Sequence, residues 1–116
     1  MEELLNPWTI ILSGTGILLA ASGGILLKYP PKKINWFYGY RTRSSMKNQD
    51  RWDFAQRYSA RELIRTGFIM VLTGFAGVWI SMDPVFTSFL SLPVLLVLTG
   101  VAIWRTEAAL RSTFDD

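Results

Sequence analysis

The run WTIILSGTGILLAASGGILL, Trp8 to Leu27, is 20 residues long and carries no ionisable side chain. Its apolar residues lie all round a helix rather than on one face, which marks a helix surrounded by apolar material. At ~1.5 Å rise per residue such a helix crosses the roughly 30 Å hydrocarbon core of a bilayer. Two further runs read the same way: Thr66 to Met82, with 17 residues, and Val85 to Trp104, with 20. The shorter one can draw on Leu63 and Ile64, with Arg65 snorkelling to the headgroups. The expected fold is an all-α membrane protein in which residues 1–116 form one membrane domain, with three transmembrane helices at about 8–27, 63–82 and 85–104.

Composition agrees with that sorting. Half of the 116 residues are hydrophobic and 18% are charged, against about a quarter charged in an ordinary soluble domain. The apolar content and five Trp exclude disorder, and the absence of Cys excludes a disulfide framework. Glu2 and Glu3 precede the first run with no Lys or Arg. A signal peptide carries a positive leader, so the run is expected to be retained as a span. Pro93, nine residues after Pro84, removes a backbone donor, and a kink or irregular turn is expected near Phe89. A less favoured option starts the regular helix at Pro93 and runs it to about Leu110. Gly16, Ala20 and Gly24 recur at four-residue spacing, with Gly67, Gly74 and Gly77 in the second run. Such small residues let helices approach closely; packing within the chain is the favoured use, and a homo-oligomer is the alternative.

Ten of the twelve basic residues lie between the first and second runs: Lys28, Lys32, Lys33, Arg41, Arg43, Lys47, Arg51, Arg57, Arg61 and Arg65. Against Asp50, Asp53 and Glu62 they leave a net charge of +7 there. The other two, Arg105 and Arg111, follow the third run. Cytoplasmic loops hold the excess Lys and Arg, so the N-terminus is expected outside, with segment 28–62 and the C-terminus cytoplasmic.

Pro30 and Pro31 end the first helix. Four aromatic rings follow within residues 34–40, and headgroup-level anchoring explains most of that enrichment. A second helix is expected to begin at an Asp50 cap, with Asp53 in capping-box spacing and an Asp53–Arg57 pair. It runs without a break to Met82, roughly 50 Å, and so extends into the cytoplasm. Arg57, Arg61 and Arg65 form one basic stripe suited to anionic lipid headgroups or a partner, while Trp52, Ala55 and Ser59 line another face. Asp50, Asp53 and Glu62 read as cap and salt-bridge partners.

No charge lies inside a run, so the mark of transporters and proton relays is missing. With no His, no Cys and no glycine-rich phosphate loop, no catalytic or metal-binding constellation can be assembled. Neither an enzyme nor a cofactor is expected, and no direct nucleic-acid partner.

The segment Pro30 to Lys47, followed by Trp52-Asp53-Phe54-Ala55-Gln56, resembles the SdpI family of small bacterial membrane proteins. The family pattern falls on Asn35, Gly39, Arg41, Thr42, Ser45, Met46 and Trp52. The likeness covers residues 30 to about 60, and the flanking spans agree in number and placement. The family's name-giver has further N-terminal spans, and this chain resembles only its portion around the motif. The resemblance implies a bacterial inner-membrane protein related to toxin-immunity and signal-transduction proteins, binding a toxic peptide or a cytoplasmic repressor. An accessory subunit of a larger membrane complex is the alternative; a small pore-forming protein is disfavoured by the lack of a polar stripe. Physically, Gly39 permits positive φ, Arg41 offers a planar fork for carbonyls at a helix end or for a ligand, and Thr42 and Ser45 supply local hydroxyl caps. Trp52 can anchor the segment against the bilayer or the other helices.

Overall fold

The computed structural model describes residues 5–79 and 83–114. It consists of α1 (Pro7–Lys28), α2 (Gln49–Ala76), a 3-10 turn at Gly77–Trp79 and α3 (Pro84–Phe114), with no strand among the described residues. Each helix is long and apolar enough to cross a membrane. The chain is a multi-pass membrane protein. Glu2, Glu3 and the expected end of the second span at Met82 lie outside the described residues.

Asn6 starts α1: its side-chain oxygen accepts from Thr9 N at 2.8 Å, and Pro7 occupies the first turn, where its missing N–H costs nothing. The helix ends at Lys28, one residue before Tyr29-Pro30-Pro31, as the prolines require. The cap of α2 is Asn48 rather than Asp50. Asn48 is extended and its side chain accepts from Arg51 N at 2.9 Å, so the helix begins earlier and Asp50 falls in its first turn, facing the helix dipole. Asp53 belongs to neither the expected capping box nor the Arg57 pair; its carboxylate accepts from Gln49 Nε2 at 2.8 Å. At the far end, regular helix stops at Ala76. There Trp8 Nε1 donates to Thr73 O at 2.8 Å, and Thr9 Oγ1 donates at 2.7 Å to Gly74 O, which also takes the Gly77 N–H, so α1 side chains help to satisfy the carbonyls of the last turn.

No irregular turn breaks the helix near Phe89. α3 runs as one helix of 31 residues through Pro93 to Phe114. One lost donor is tolerated in so long a ladder, and Phe89, Leu92 and Pro93 all face outward, where the ring meets no packed neighbour.

The packing is inverted relative to a soluble core. Thr9, Ser13, Gly16, Thr66, Gly67, Gly74, Thr87 and Ser91 are buried, while Ile17, Leu18, Phe68, Leu72, Leu96 and Val97 are exposed. That is the arrangement lipid favours: small residues between helices, large apolar ones outside. A Cβ added at Gly16 would come within 2.5 Å of Gly67 O, and one at Gly23 within 2.6 Å of Ala60 O. The small-residue seam is therefore internal and joins α1 to α2. Its third member on α1 is Gly23 and not the expected Gly24, which faces open space. α3 packs on both helices more sparsely, and least on α1.

Candidate functional site

Residues 29–48 fold into a cap over the ends of α1, α2 and α3. The exit from α1 is pinned first. Trp52 is fully buried and its Nε1 donates to Pro31 O at 2.7 Å; Gln49 Nε2 donates to Lys32 O at 2.6 Å. An Asx turn follows: Asn35 Oδ1 accepts from Phe37 N at 2.9 Å and Tyr38 N at 2.8 Å. Arg41 donates to Trp36 O and closes the same loop. The carbonyl it holds thus belongs to the segment itself, not to a helix end. Trp36 and Phe37 stand at the tip, 74% and 91% exposed.

Gly39 has φ +105°, and a Cβ there would lie 2.5 Å from Gln56 Oε1 and 2.7 Å from Pro31 Cγ. Only glycine accommodates both the angle and the approach. The reward for that approach is a two-way amide pairing. Tyr40 N donates to Gln56 Oε1 at 2.7 Å, and Gln56 Nε2 donates to Tyr40 O at 2.9 Å. Thr42 and Ser45 then cap one another: Thr42 N donates to Ser45 Oγ at 2.9 Å and Ser45 N to Thr42 Oγ1 at 3.1 Å. Met46 closes this turn through its backbone, donating to Thr42 O at 3.1 Å. Arg51 fastens the turn to α2 through Ser44 O and Ser44 Oγ, both at 2.9 Å, and lies over the Phe114 ring at 5.2 Å.

The last ten residues of α3 complete the cap. Glu107 Oε2 accepts from Tyr40 OH at 2.7 Å and Thr42 Oγ1 at 3.1 Å. Burial, then the hydrogen bond to Glu107 and its charge, push the Tyr40 phenol far above its ordinary range, with the Thr42 hydrogen bond opposing. Lower on the helices, Glu62 is buried and pairs with Arg105 Nε at 2.7 Å and Arg65 at 3.7 Å. This is the salt-bridge use expected of it. Beneath Tyr38–Tyr40 a cleft of about 400 Å³ opens between α1 and α3.

Six motif residues, Asn35, Gly39, Arg41, Thr42, Ser45 and Trp52, meet in this cap as structural parts. Arg57, Arg61 and Arg65 do not join it; they are exposed on the outer side of α2. Of the four rings in the aromatic run, Trp36 and Phe37 face outward as an interfacial belt requires, whereas Tyr40 is packed inward. Gln56 and Glu107 escaped the sequence reading. Gln56 had a local signal, being one helical turn after Trp52 and on its face. Glu107 had none, since its partners lie 65 and 67 residues away. Among the described residues no cluster of His, Cys, Asp or Glu could hold a metal ion.

A family model described as the SdpI/YfhL protein family matches residues 32–112. The YfhL protein of Bacillus subtilis strain 168 is 48% identical over 64 residues, which are 54% of this chain and 56% of that relative. The match therefore spans little more than half of the relative's length. No solved structure gives a significant match. The family match takes in the whole motif together with α2 and most of α3, and the chain belongs to the SdpI/YfhL family.

Proposed function

We propose that this protein resides in the bacterial inner membrane, with its N-terminus outside and its C-terminus cytoplasmic. It acts by binding a toxic peptide or a cytoplasmic regulator, not by catalysis. The orientation rests on ten of the twelve basic residues lying from the last residue of α1 to the middle of α2. The observation that carries the binding role is the division of labour within the cap. Asn35, Thr42, Ser45, Trp52 and Gln56 bond to the segment's own backbone. Trp36 and Phe37 are left projecting among the exposed Lys32, Lys33, Arg41 and Arg43. A surface held rigid in advance loses little entropy on association, and exposed rings with arginines are the groups that anchor partners.

The test is expression in a sensitive bacterium challenged with a panel of membrane-active peptides. Protection is expected against at least one, and a Trp36→Ala/Phe37→Ala double variant at equal membrane level should lose it. Unchanged survival across a broad panel, with good membrane expression, counts against the peptide reading. Failure to retain a cytoplasmic partner on gentle detergent extraction counts against the regulator reading.

A further inference from the structure

We propose that the cleft between α1 and α3 binds a neutral, hydroxyl-bearing hydrocarbon that enters from the bilayer, with its hydroxyl at Glu62 and Thr99. This goes beyond the binding role of the cap, and depends neither on that role nor on which side of the membrane the cap faces.

The cleft exists because α1 and α3 touch least of any helix pair. Leu26, Leu63, Ala102 and Ile103 supply apolar wall, and Tyr38 to Tyr40 close it on the cap side. Its volume of about 400 Å³ lies toward the smaller end of small-ligand sites. Ser22 and Ile103 on its two sides are exposed. Both belong to uncharged runs long enough to cross the bilayer, so the mouth opens to lipid and admits what dissolves there.

Two oxygens of the lining have no hydrogen bond among the described residues. The other hydroxyls are engaged: Ser22 donates to Leu18 O at 2.7 Å, Tyr38 to Tyr29 O at 2.8 Å, Tyr40 to Glu107 at 2.7 Å and Thr106 to Ala102 O at 2.9 Å. Thr87, Ser88 and Ser91 likewise donate to carbonyls of α3, their own helix. Thr99 Oγ1, also on α3, does not. Glu62 lines the cleft with a side chain only 8% exposed. Both of its arginine contacts, Arg105 Nε at 2.7 Å and Arg65 Nη1 at 3.7 Å, fall on Oε1, and Oε2 accepts no bond.

These two oxygens select the occupant. A buried acceptor left unpaired is costly, and a bare acyl chain has no donor to offer it. Neither arginine lines the cleft, but their charges already offset that of Glu62, so a cation gains little there. An anion meets the carboxylate itself. A neutral group that both donates and accepts fits: an alcohol O–H can donate to Glu62 Oε2 while its oxygen accepts from Thr99 Oγ1. Water can serve these oxygens, but it leaves the apolar wall uncovered, and a hydrocarbon body covers it.

The full chain in phosphatidylcholine nanodiscs is irradiated with a long-chain alcohol carrying a mid-chain diazirine, and the labelled positions are mapped by mass spectrometry. Labelling is expected to be several-fold higher at Leu26, Leu63 and Ile103 than at Leu96 and Val97, which are exposed on α3. The methyl ether of the same probe accepts but cannot donate, and should show no such preference. Thr99→Val keeps the shape of the side chain and removes no hydrogen bond of the fold. It should cut cleft labelling by the alcohol several-fold and leave Leu96 and Val97 unchanged. Excess unlabelled alcohol should compete, and the ammonium and carboxylate of the same chain length should compete several-fold less well. Even labelling of cleft and exposed positions overturns the proposal. Equal cleft labelling by alcohol and ether also overturns it, in favour of hydrocarbon alone. So does a Thr99→Val variant of normal helical content that labels like the parent chain, or better competition by either charged analogue. No toxin or regulator enters this assay, so its failure leaves the binding role of the cap standing, and failed protection leaves the alcohol site standing.

Discussion

Gly39 and Gln56 form the joint on which the cap turns. At φ +105° the backbone presents Tyr40 N and O to a buried amide. Gly39→Ala adds strain of about 1–3 kcal/mol at that angle, besides the collision with Gln56. Gln56→Leu leaves Tyr40 N unpaired, at about 1–3 kcal/mol, while Tyr40 O keeps only its bond from Ser45 Oγ. Both variants should expose residues 29–48 to protease while the helices remain protected, and limited proteolysis in detergent reads this directly. Tyr40 adds a pH dependence. Its folded pKa is raised, so the unfolded chain loses this proton first, and stability present below the ordinary phenol value of ~10 falls as pH rises beyond it. A tyrosine absorbance titration should contain one late component that Tyr40→Phe removes. A Tyr40→Phe chain that still shows the late component would refute the assignment. Glycine's freedom and the capping hydroxyls were legible in the string of residues; the partner of Tyr40 was not, because a hydrogen bond across 67 positions leaves no local pattern.

At the scale of helices, the α1–α2 seam rests on close backbone approach and not on large side chains. Gly67 faces Gly16 and Ala20 so tightly that a single added methyl meets backbone atoms of both. Gly24 meets nothing within 4 Å. Gly67→Ala should therefore destabilise the pair by at least the 1–3 kcal/mol typical of overpacking, whereas Gly24→Ala should be neutral or slightly stabilising through helix propensity. Thermal unfolding in detergent ranks the two variants, and equal melting temperatures would refute the seam. Four-residue spacing pointed to the correct face of α1 but misassigned its last member. Gly23 and Gly24 are neighbours on the helix, and the choice between them depends on where Ala60 and Ile64 arrive. The α2 cap was displaced for a similar reason: Asn48 and Asp50 are both competent capping residues, and the extended backbone at Asn48 decides between them.

Over the whole molecule, charge and hydropathy are sorted along an axis 49 Å long. Two linkages, Glu62–Arg105 and Tyr40–Glu107, bring the C-terminal part of α3 to the same end as the basic segment. Reporter fusions after Asp83 and at the C-terminus should therefore place Asp83 outside and the C-terminus in the cytoplasm. A cytoplasmic Asp83 would reverse the orientation and move the cap to the other side of the membrane. α3 packs on α1 and α2 more sparsely than they pack on each other, so cutting the Tyr40 and Thr42 bonds by Glu107→Ala should loosen α3 from the cap without unfolding α1 and α2. Hydrogen exchange would find the change confined to residues 29–48 and the last turns of α3.

Three helices, their number and their approximate spans follow from uninterrupted apolar runs, because in lipid each backbone must satisfy its own hydrogen bonds and length alone then selects a helix. The motif residues follow from their spacing. The cap they build, the cleft beneath it and the role of α3 do not, because they depend on Gln56, Glu62, Arg105 and Glu107 meeting groups far away in the chain. Apolar patterning records the medium around each helix, whereas a buried polar contact is recorded only in the relative placement of two elements, and here that placement came from the glycine seam and from the Glu62–Arg105 ion pair.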